Sequence, residues 1–251
     1  QKKKGWAENV EDISTPFIKP MLADKMKNLK KGLPFGEKKI WVQPKLDGFR
    51  CVISKAGMYS RSGERFLNCD HIFEQVKHLV QDGNVMALDG ELYNHDLHDN
   101  FNKLSSLIRK EKVTPEELAE IRDKVKFFCY DMIPVESVNF LFEFRNQLVK
   151  SLVPNNNIIN HVATTLVDNI ETIDEIKKES IDLGFEGLII RINGPYEHKR
   201  TKNLIKYKRL EDAEFEVVSI KEGKGNWSGM AKSVEVRLPN RSEERRVGKE
   251  C

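Results

Sequence analysis

The chain has 251 residues, of which 39% are hydrophobic and 32% charged, and a formal net charge of +3. This is a soluble globular composition with a proper core, enough for one large domain or one domain plus part of another. No apolar run approaches the ~20 residues of a membrane helix, and Cys51, Cys69, Cys129 and Cys251 form no C-x-x-C pair, so membrane-spanning, zinc-ribbon and thiol-redox classes are set aside.

The opening QKKKGWAENV has no signal-peptide pattern and no initiator methionine, so a start inside a longer gene product is expected. The lysines of residues 2–4 read as a solubilising surface. KKIWVQPK predicts a strand that delivers Lys45. RCVISKAGMYSRSGERF predicts a hairpin with Lys55, Ala56 and Gly57 at its turn. Ile72, Phe73, Val76, Leu79 and Val80 recur at helical spacing in HIFEQVKHLVQD. VMALDGELY predicts a strand. NHDLHD offers His95, Asp96, His98 and Asp99, but no matching ligands lie at an established spacing, and the histidines read as solvated.

Thr114, Pro115 and Glu117 predict a capping box with proline in the first turn, opening a helix in TPEELAEIRDK. VKFFCYDMI predicts a buried strand. ETIDEIKKESIDLG predicts an amphipathic helix closed by Gly184. FEGLIIRI and NLIKYKRL predict two further strands. The segment from His198 to Arg209 carries six Lys or Arg and no acid, interleaved with Leu204, Ile205 and Tyr207. That pattern suits a strand with one face inward and a row of lysines aimed at an anion.

Composition changes near Leu210. The first domain is read as 1–210. Residues 211–240 alternate like two antiparallel strands with a Gly-rich connection, the opening of a small β domain that stops before it closes. RSEERRVGKEC, 241–251, has no strand alternation. It looks like the translation of a sequencing adapter and is set aside as a non-native tail.

The chemistry centres on VQPKLDGFR. An amine is a weak nucleophile while protonated, and burial or nearby cations lower its pKa. Lys206 and Lys208 supply such cations if their strand packs beside Lys45, and the same pair would hold a nucleotide's phosphates. Gly48 allows a tight turn and a close ligand. Glu91 and Glu186 are candidate ligands for a divalent metal that screens phosphate oxygens. Lys45 is therefore expected to be a covalent nucleophile toward a nucleotide.

K-x-D-G-x-R alone is a moderate signal. Here it is followed in order by SRSGE (60–64), DGELY (89–93), FFCYDMI (127–133), EGLIIR (186–191) and NLIKYK (203–208). With PMLADK just upstream, the sequence resembles an ATP-dependent DNA ligase, one of the covalent nucleotidyltransferases that include capping enzymes and RNA ligases. The resemblance implies an α/β fold: a two-sheet, mostly antiparallel, ATP-grasp-like nucleotidyltransferase domain, followed by an incomplete OB-fold barrel. It implies that Lys45 attacks the α-phosphate of ATP, that Arg50 contacts the sugar and that Arg61 contacts the 5′-phosphate side of a nick. Glu91 would lie near the ribose and the metal, Tyr130 would stack on the purine, Glu186 would bind metal, and Lys206 and Lys208 would sit at the α-phosphate. Gln43 falls where many relatives carry a glutamate that reads the adenine amino group, and its carbonyl would accept that bond. The family's last basic motif, expected in the barrel, is not in the sequence, so self-adenylation is expected to be slow or absent.

The implied co-substrates are ATP and Mg²⁺. The implied partner is nicked double-stranded DNA, bound by a monomer without a membrane, in the cytoplasm of a bacterial or virus-infected cell or in a nucleus. Alternatives stay open: a capping guanylyltransferase, which the nucleotide that labels Lys45 would reveal, or an RNA ligase; and an impaired ligase fragment that only holds nucleic acid.

Overall fold

The alternating run around Trp41 forms an inner strand of one sheet, with Ile40 and Val42 pointing to one apolar layer while Trp41 and Gln43 point the other way. The computed structural model describes residues 17–83, 85–135, 140–208, 216–223, 228, 229, 231–238 and 241–246. Its strands are β1 (Leu22–Lys25), β2 (Ile40–Pro44), β3 (Phe49–Ser54), β4 (Gly57–Ser60), β5 (Val85–Tyr93), β6 (Lys126–Pro134), β7 (Ile159–His161), β8 (Thr165–Val167), β9 (Gly187–Ile192), β10 (Arg200–Lys208), β11 (Glu216–Glu222), β12 (Ala231–Leu238) and β13 (Arg241–Arg246). The helices are α1 (Asp70–Gln81), α2 (Phe101–Ile108), α3 (Pro115–Lys124), α4 (Phe142–Leu152) and α5 (Ile170–Asp182).

The chain divides into two compact units, 1–209 and 210–251. In the first, one sheet has the order β1-β10-β9-β2-β8 and the other β4-β3-β5-β6-β7. Pairing is antiparallel except for β1 with β10 and β6 with β7. This is the mixed α/β, mostly antiparallel two-sheet fold expected. One core packs α1, α2, α3 and α4 against the second sheet through Ile72, Leu104, Ile121 and Val149. Another packs α5 on the first sheet through Ile173, Leu188 and Ile190. A small third core, with Val52, Ala87, Ile133 and Leu204, lies between the sheets. The inter-sheet layer also holds buried polar groups, and those build the site below.

Helix signals in the sequence have their physical counterparts. Thr114 Oγ1 accepts the Glu117 N–H at 3.3 Å, and Glu117 Oε2 accepts the Thr114 N–H at 3.0 Å. Gly184 follows α5 at φ +90°, and the Phe185 N–H reaches back to Ser180 O at 2.9 Å, satisfying a carbonyl the helix end would leave bare. Two helices, α2 and α4, and the short strands β1, β7 and β8 were not evident in the sequence. On α4 the inward face carries Arg145 and Asn146 beside Phe142 and Val149, which interrupts the apolar stripe that would announce it. Among the described residues no helix is long and apolar enough to cross a membrane, and Cys51, Cys69 and Cys129 are buried free thiols.

In the second unit β11, β12 and β13 form an antiparallel sheet, and no closed barrel forms among the described residues. Residues 241–246, read from sequence as lacking strand character, pair along β12. Backbone hydrogen bonds make that ladder, and an edge strand does not need an alternating pattern to form it.

Candidate active site

Lys45 leaves β2 one residue after Pro44, on the face shared by Trp41 and Gln43. Its backbone is tied to β9 twice: the Lys45 N–H donates to Gly187 O at 2.9 Å, and the Glu186 N–H donates to Lys45 O at 3.1 Å. Gly187 sits at φ +129°, and a Cβ there would lie 2.5 Å from Tyr207 O, so only glycine lets β9 start here. Gly48 lies in the bend between β2 and β3, and it has a second use. Its φ is not left-handed, but an added Cβ would lie 2.4 Å from Leu92 O and 2.8 Å from Glu91 Cγ. The glycine lets the lysine loop lie against the end of β5.

The Lys45 ammonium is in contact with Glu186 Oε2, and Lys208 Nζ lies 3.2 Å from the other oxygen, Glu186 Oε1. Burial and then Lys208 lower the Lys45 pKa to about 8, against the opposing pull of Glu91 and Asp47. Relative to an ordinary lysine at 10.5, that raises the free amine at neutral pH by about 300-fold. Lys206 is also lowered, first by burial and then by Lys208, Lys25, Arg200 and Arg61, so these cations share one field. Arg61 itself is exposed in the turn after β4.

The facing sheet presents Arg50, Glu91 and Tyr130. The register of β5 on β6 slips between Asp89 and Gly90, and Tyr130 is the extra residue opposite that slip. Its hydroxyl donates to Glu91 Oε2 at 3.3 Å, and the Arg50 and Arg191 guanidinium carbons lie 5.5 and 5.3 Å from its ring centre. Burial raises the Glu91 pKa to about 7, with Arg50 and Lys45 working against it. Arg50 is held bidentate on Asp89, at 2.9 and 2.5 Å, and Tyr196 donates its hydroxyl to the same carboxylate at 2.6 Å.

Lys45, Arg50, Glu91, Tyr130, Glu186, Lys206 and Lys208 thus line the two facing sheets around the lysine loop. Gln43 lies behind them. It is 2% exposed, its carbonyl accepts from Arg191 Nε at 2.5 Å, and its amide donates to Thr164 Oγ1 at 2.9 Å and to Tyr130 O at 3.3 Å. The carbonyl expected to meet an adenine amino group is already engaged. His95 stacks on Phe185 and His98, with ring centres 4.7 and 5.0 Å away, and its Nδ1 lies 2.8 Å from the Tyr93 hydroxyl. Those histidines are packing and turn residues here.

Sequence reasoning missed the buried ionic group behind the pocket. Asp131, fully buried, accepts from Arg145 at 2.8 and 3.1 Å and from Arg191 at 2.7 Å. The one available sign was an aspartate inside the apolar run FFCYDMI, where a charge needs a partner. Asp89 and Tyr196 were missed likewise.

A family model described as ATP dependent DNA ligase domain matches residues 20–208. The DNA ligase of African swine fever virus (strain Badajoz 1971 Vero-adapted) is 30% identical over 197 residues, which cover 73% of this chain and 45% of that protein. The chain therefore spans about half the length of the curated relatives it matches. A solved structure called Pmar-Lig_PreS3 superposes with TM-score 0.74 at 25% identity, covering 97% of this chain and 60% of that one. A structure from a study of Lig E DNA ligases, at 23% identity, shares the fold with TM-score 0.71 over 92% of this chain and 84% of that one.

Proposed function

The chain belongs to the ATP-dependent DNA ligase family, and on that premise we propose that it carries the nucleotide-accepting part of an enzyme that joins nicks in duplex DNA, acting as a monomer. The observation that carries this reading is Lys45: a half-buried amine at about 8, touching Glu186 and flanked by Lys206 and Lys208.

In the first step the Lys45 Nζ lone pair forms a bond to the α-phosphorus of ATP. The bond from that phosphorus to the bridging oxygen breaks, pyrophosphate leaves, and the amine's proton departs on the side of Glu186. Lys206 and Lys208 offset charge on the phosphate oxygens. In the second step an oxygen of the 5′-phosphate at the nick attacks the AMP phosphorus, the P–N bond breaks, and Lys45 regains a proton. In the third step the 3′-hydroxyl attacks the 5′-phosphate, loses its proton, and AMP leaves.

Tyr130 offers a ring for the purine, Arg50 and Glu91 face the sugar, and Arg61 reaches the 5′-phosphate. Gln43 supports the pocket by holding Tyr130 O and Thr164. Among the described residues no three His, Cys, Asp or Glu side chains form a metal cage. Glu91 and Glu186 fit Mg²⁺ in its usual mode, one or two carboxylates with substrate phosphates and water completing the shell. Bound there, the ion would screen the phosphate oxygens.

The test is incubation with ATP labelled at the α-phosphate, beside labelled GTP, with magnesium. A protein adduct from ATP that disappears in Lys45→Ala supports the reading. An adduct from GTP alone would replace it with capping-type chemistry, and an undiminished adduct in Lys45→Ala would remove Lys45 from the mechanism.

A further inference from the structure

Behind the pocket, one buried hydroxyl joins segments that the proposed chemistry leaves unconnected. The loop between β9 and β10 dips into the layer between the sheets and places Tyr196, 5% exposed, in one cluster with Met21, Val52 and Ala87. Its hydroxyl donates to Asp89 Oδ2 at 2.6 Å and accepts the Met21 N–H at 3.0 Å. The Arg145 guanidinium carbon lies 5.6 Å from its ring centre. Phenylalanine would fill the same volume without those two bonds, so a phenol here acts as a junction between chain segments. Burial, and after it Asp89, raises the Tyr196 pKa well above 10, and the hydroxyl stays a donor.

The strand register connects this junction to the pocket. Ala87, Asp89 and Glu91 alternate onto one face of β5, so Asp89 lies one step behind Glu91. On β3 their partners are Ser54, Val52 and Arg50. Arg50 uses Nε and Nη2 to hold Asp89, at 2.9 and 2.5 Å. A planar guanidinium gripped by that edge turns Nη1 away from the carboxylate, and Nη1 has no protein partner among the described residues. Asp89 Oδ2 therefore meets Arg50 and Tyr196 together, and the direction of the unclaimed Nη1 depends on how that carboxylate is held.

We propose that Tyr196 is a positioning residue for nucleotide recognition. By fixing the Asp89 carboxylate it keeps Arg50 Nη1 aimed at a hydroxyl of the ATP ribose, and through Met21 it ties the entry of β1 to the same point. This rests on the ligase reading above and deepens it by naming what aims the sugar contact.

The test is calorimetric binding of α,β-methylene-ATP, which Lys45 cannot cleave, beside its 2′-deoxy and 3′-deoxy forms, all with magnesium. The proteins are the unmodified chain, Tyr196→Phe, Arg50→Lys and the double variant, each checked for folding by circular dichroism. The unmodified chain should prefer the ribose form over at least one deoxy form by about tenfold, the worth of one hydrogen bond to a charged group. Tyr196→Phe should cut that preference to about twofold or less, leave affinity for that deoxy form unaltered, and change the preference no further in the Arg50→Lys background. Asp89→Asn keeps an acceptor for Tyr196 but loosens Arg50. It should show the same selective loss, and it decides the matter if Tyr196→Phe does not fold. Equal weakening toward all three nucleotides, or a preference that survives, overturns the positioning role and leaves the ligase reading in place. A preference absent from the unmodified chain does the same. No binding of any of the three by the unmodified chain overturns the ligase reading and the positioning role with it.

Discussion

Replacing Asp131 by Asn removes one negative charge from a site where it faces two arginines. The three side chains are 0, 1 and 4% exposed, for Asp131, Arg145 and Arg191, so water cannot take over the lost pairing. Asparagine keeps the shape and one acceptor oxygen, but leaves two buried guanidiniums uncompensated. Breaking a buried ion pair in this way costs about 3–5 kcal/mol. Against a net stability of about 5–15 kcal/mol, that is a large fraction. With a urea dependence of about 2 kcal/mol per molar, the unfolding midpoint should fall by about 1.5–2.5 M. The control is Glu143→Gln, which breaks the pair with Lys39, where the side chains are 36 and 55% exposed. Screening limits that loss to under about 1 kcal/mol. Urea titrations followed by far-ultraviolet circular dichroism measure both. A midpoint for Asp131→Asn within about 0.5 M of the unmodified protein would refute the argument that this ionic group holds the two sheets together.

Labelling of Lys45 should rise about tenfold per pH unit below pH 8 and flatten above it, since the amine titrates at about 8. Rates still climbing through pH 9.5 would mean an ordinary lysine. Gly48→Ala pushes a Cβ to 2.4 Å from Leu92 O, a backbone atom that cannot swing aside. A loss of about 1–3 kcal/mol in stability, with labelling reduced at least tenfold, is expected by calorimetry and adduct yield. His71 donates Nε2–H to Val125 O at 2.9 Å, while its Nδ1 is buried without a partner, and burial lowers its pKa below 6.5. The unfolded state therefore binds the proton more readily, so this contribution to stability is complete above pH 6.5 and declines as pH falls below it toward the folded value. His71→Gln should flatten that part of the acid denaturation curve, and an unchanged curve would count against it.

The positions of Lys45, Arg50, Glu91 and Glu186 were legible from the ordered motifs that contain them, each within three residues of a glycine. Lys206 and Lys208 were legible because β10 spaces them on the face opposite Ile205 and Tyr207. The ionic group was not legible, since Asp131 finds its partners 14 and 60 residues along the chain, and only the sheet packing joins them. Helix α4 was hidden by its own function, because the buried Arg145 that serves Asp131 spoils its hydrophobic stripe. Gly48 also makes room for a neighbouring carbonyl, which local sequence does not reveal. The surroundings of Gln43 were not legible, since its partners Arg191 and Thr164 lie on distant segments.

The two backbone bonds between Lys45 and residues 186 and 187 couple the attacking amine to the carboxylate beside it through main chain alone. On the proposed reading, bond making at phosphorus would be confined to one half of a sandwich, and recognition of the nucleoside to the opposite half. On that reading, exchanging side chains on β5 and β6 would retune which purine is welcomed without disturbing the reach of the nucleophile. Conversely, a shift between the halves would alter grip on the base before it altered the distance from amine to acid.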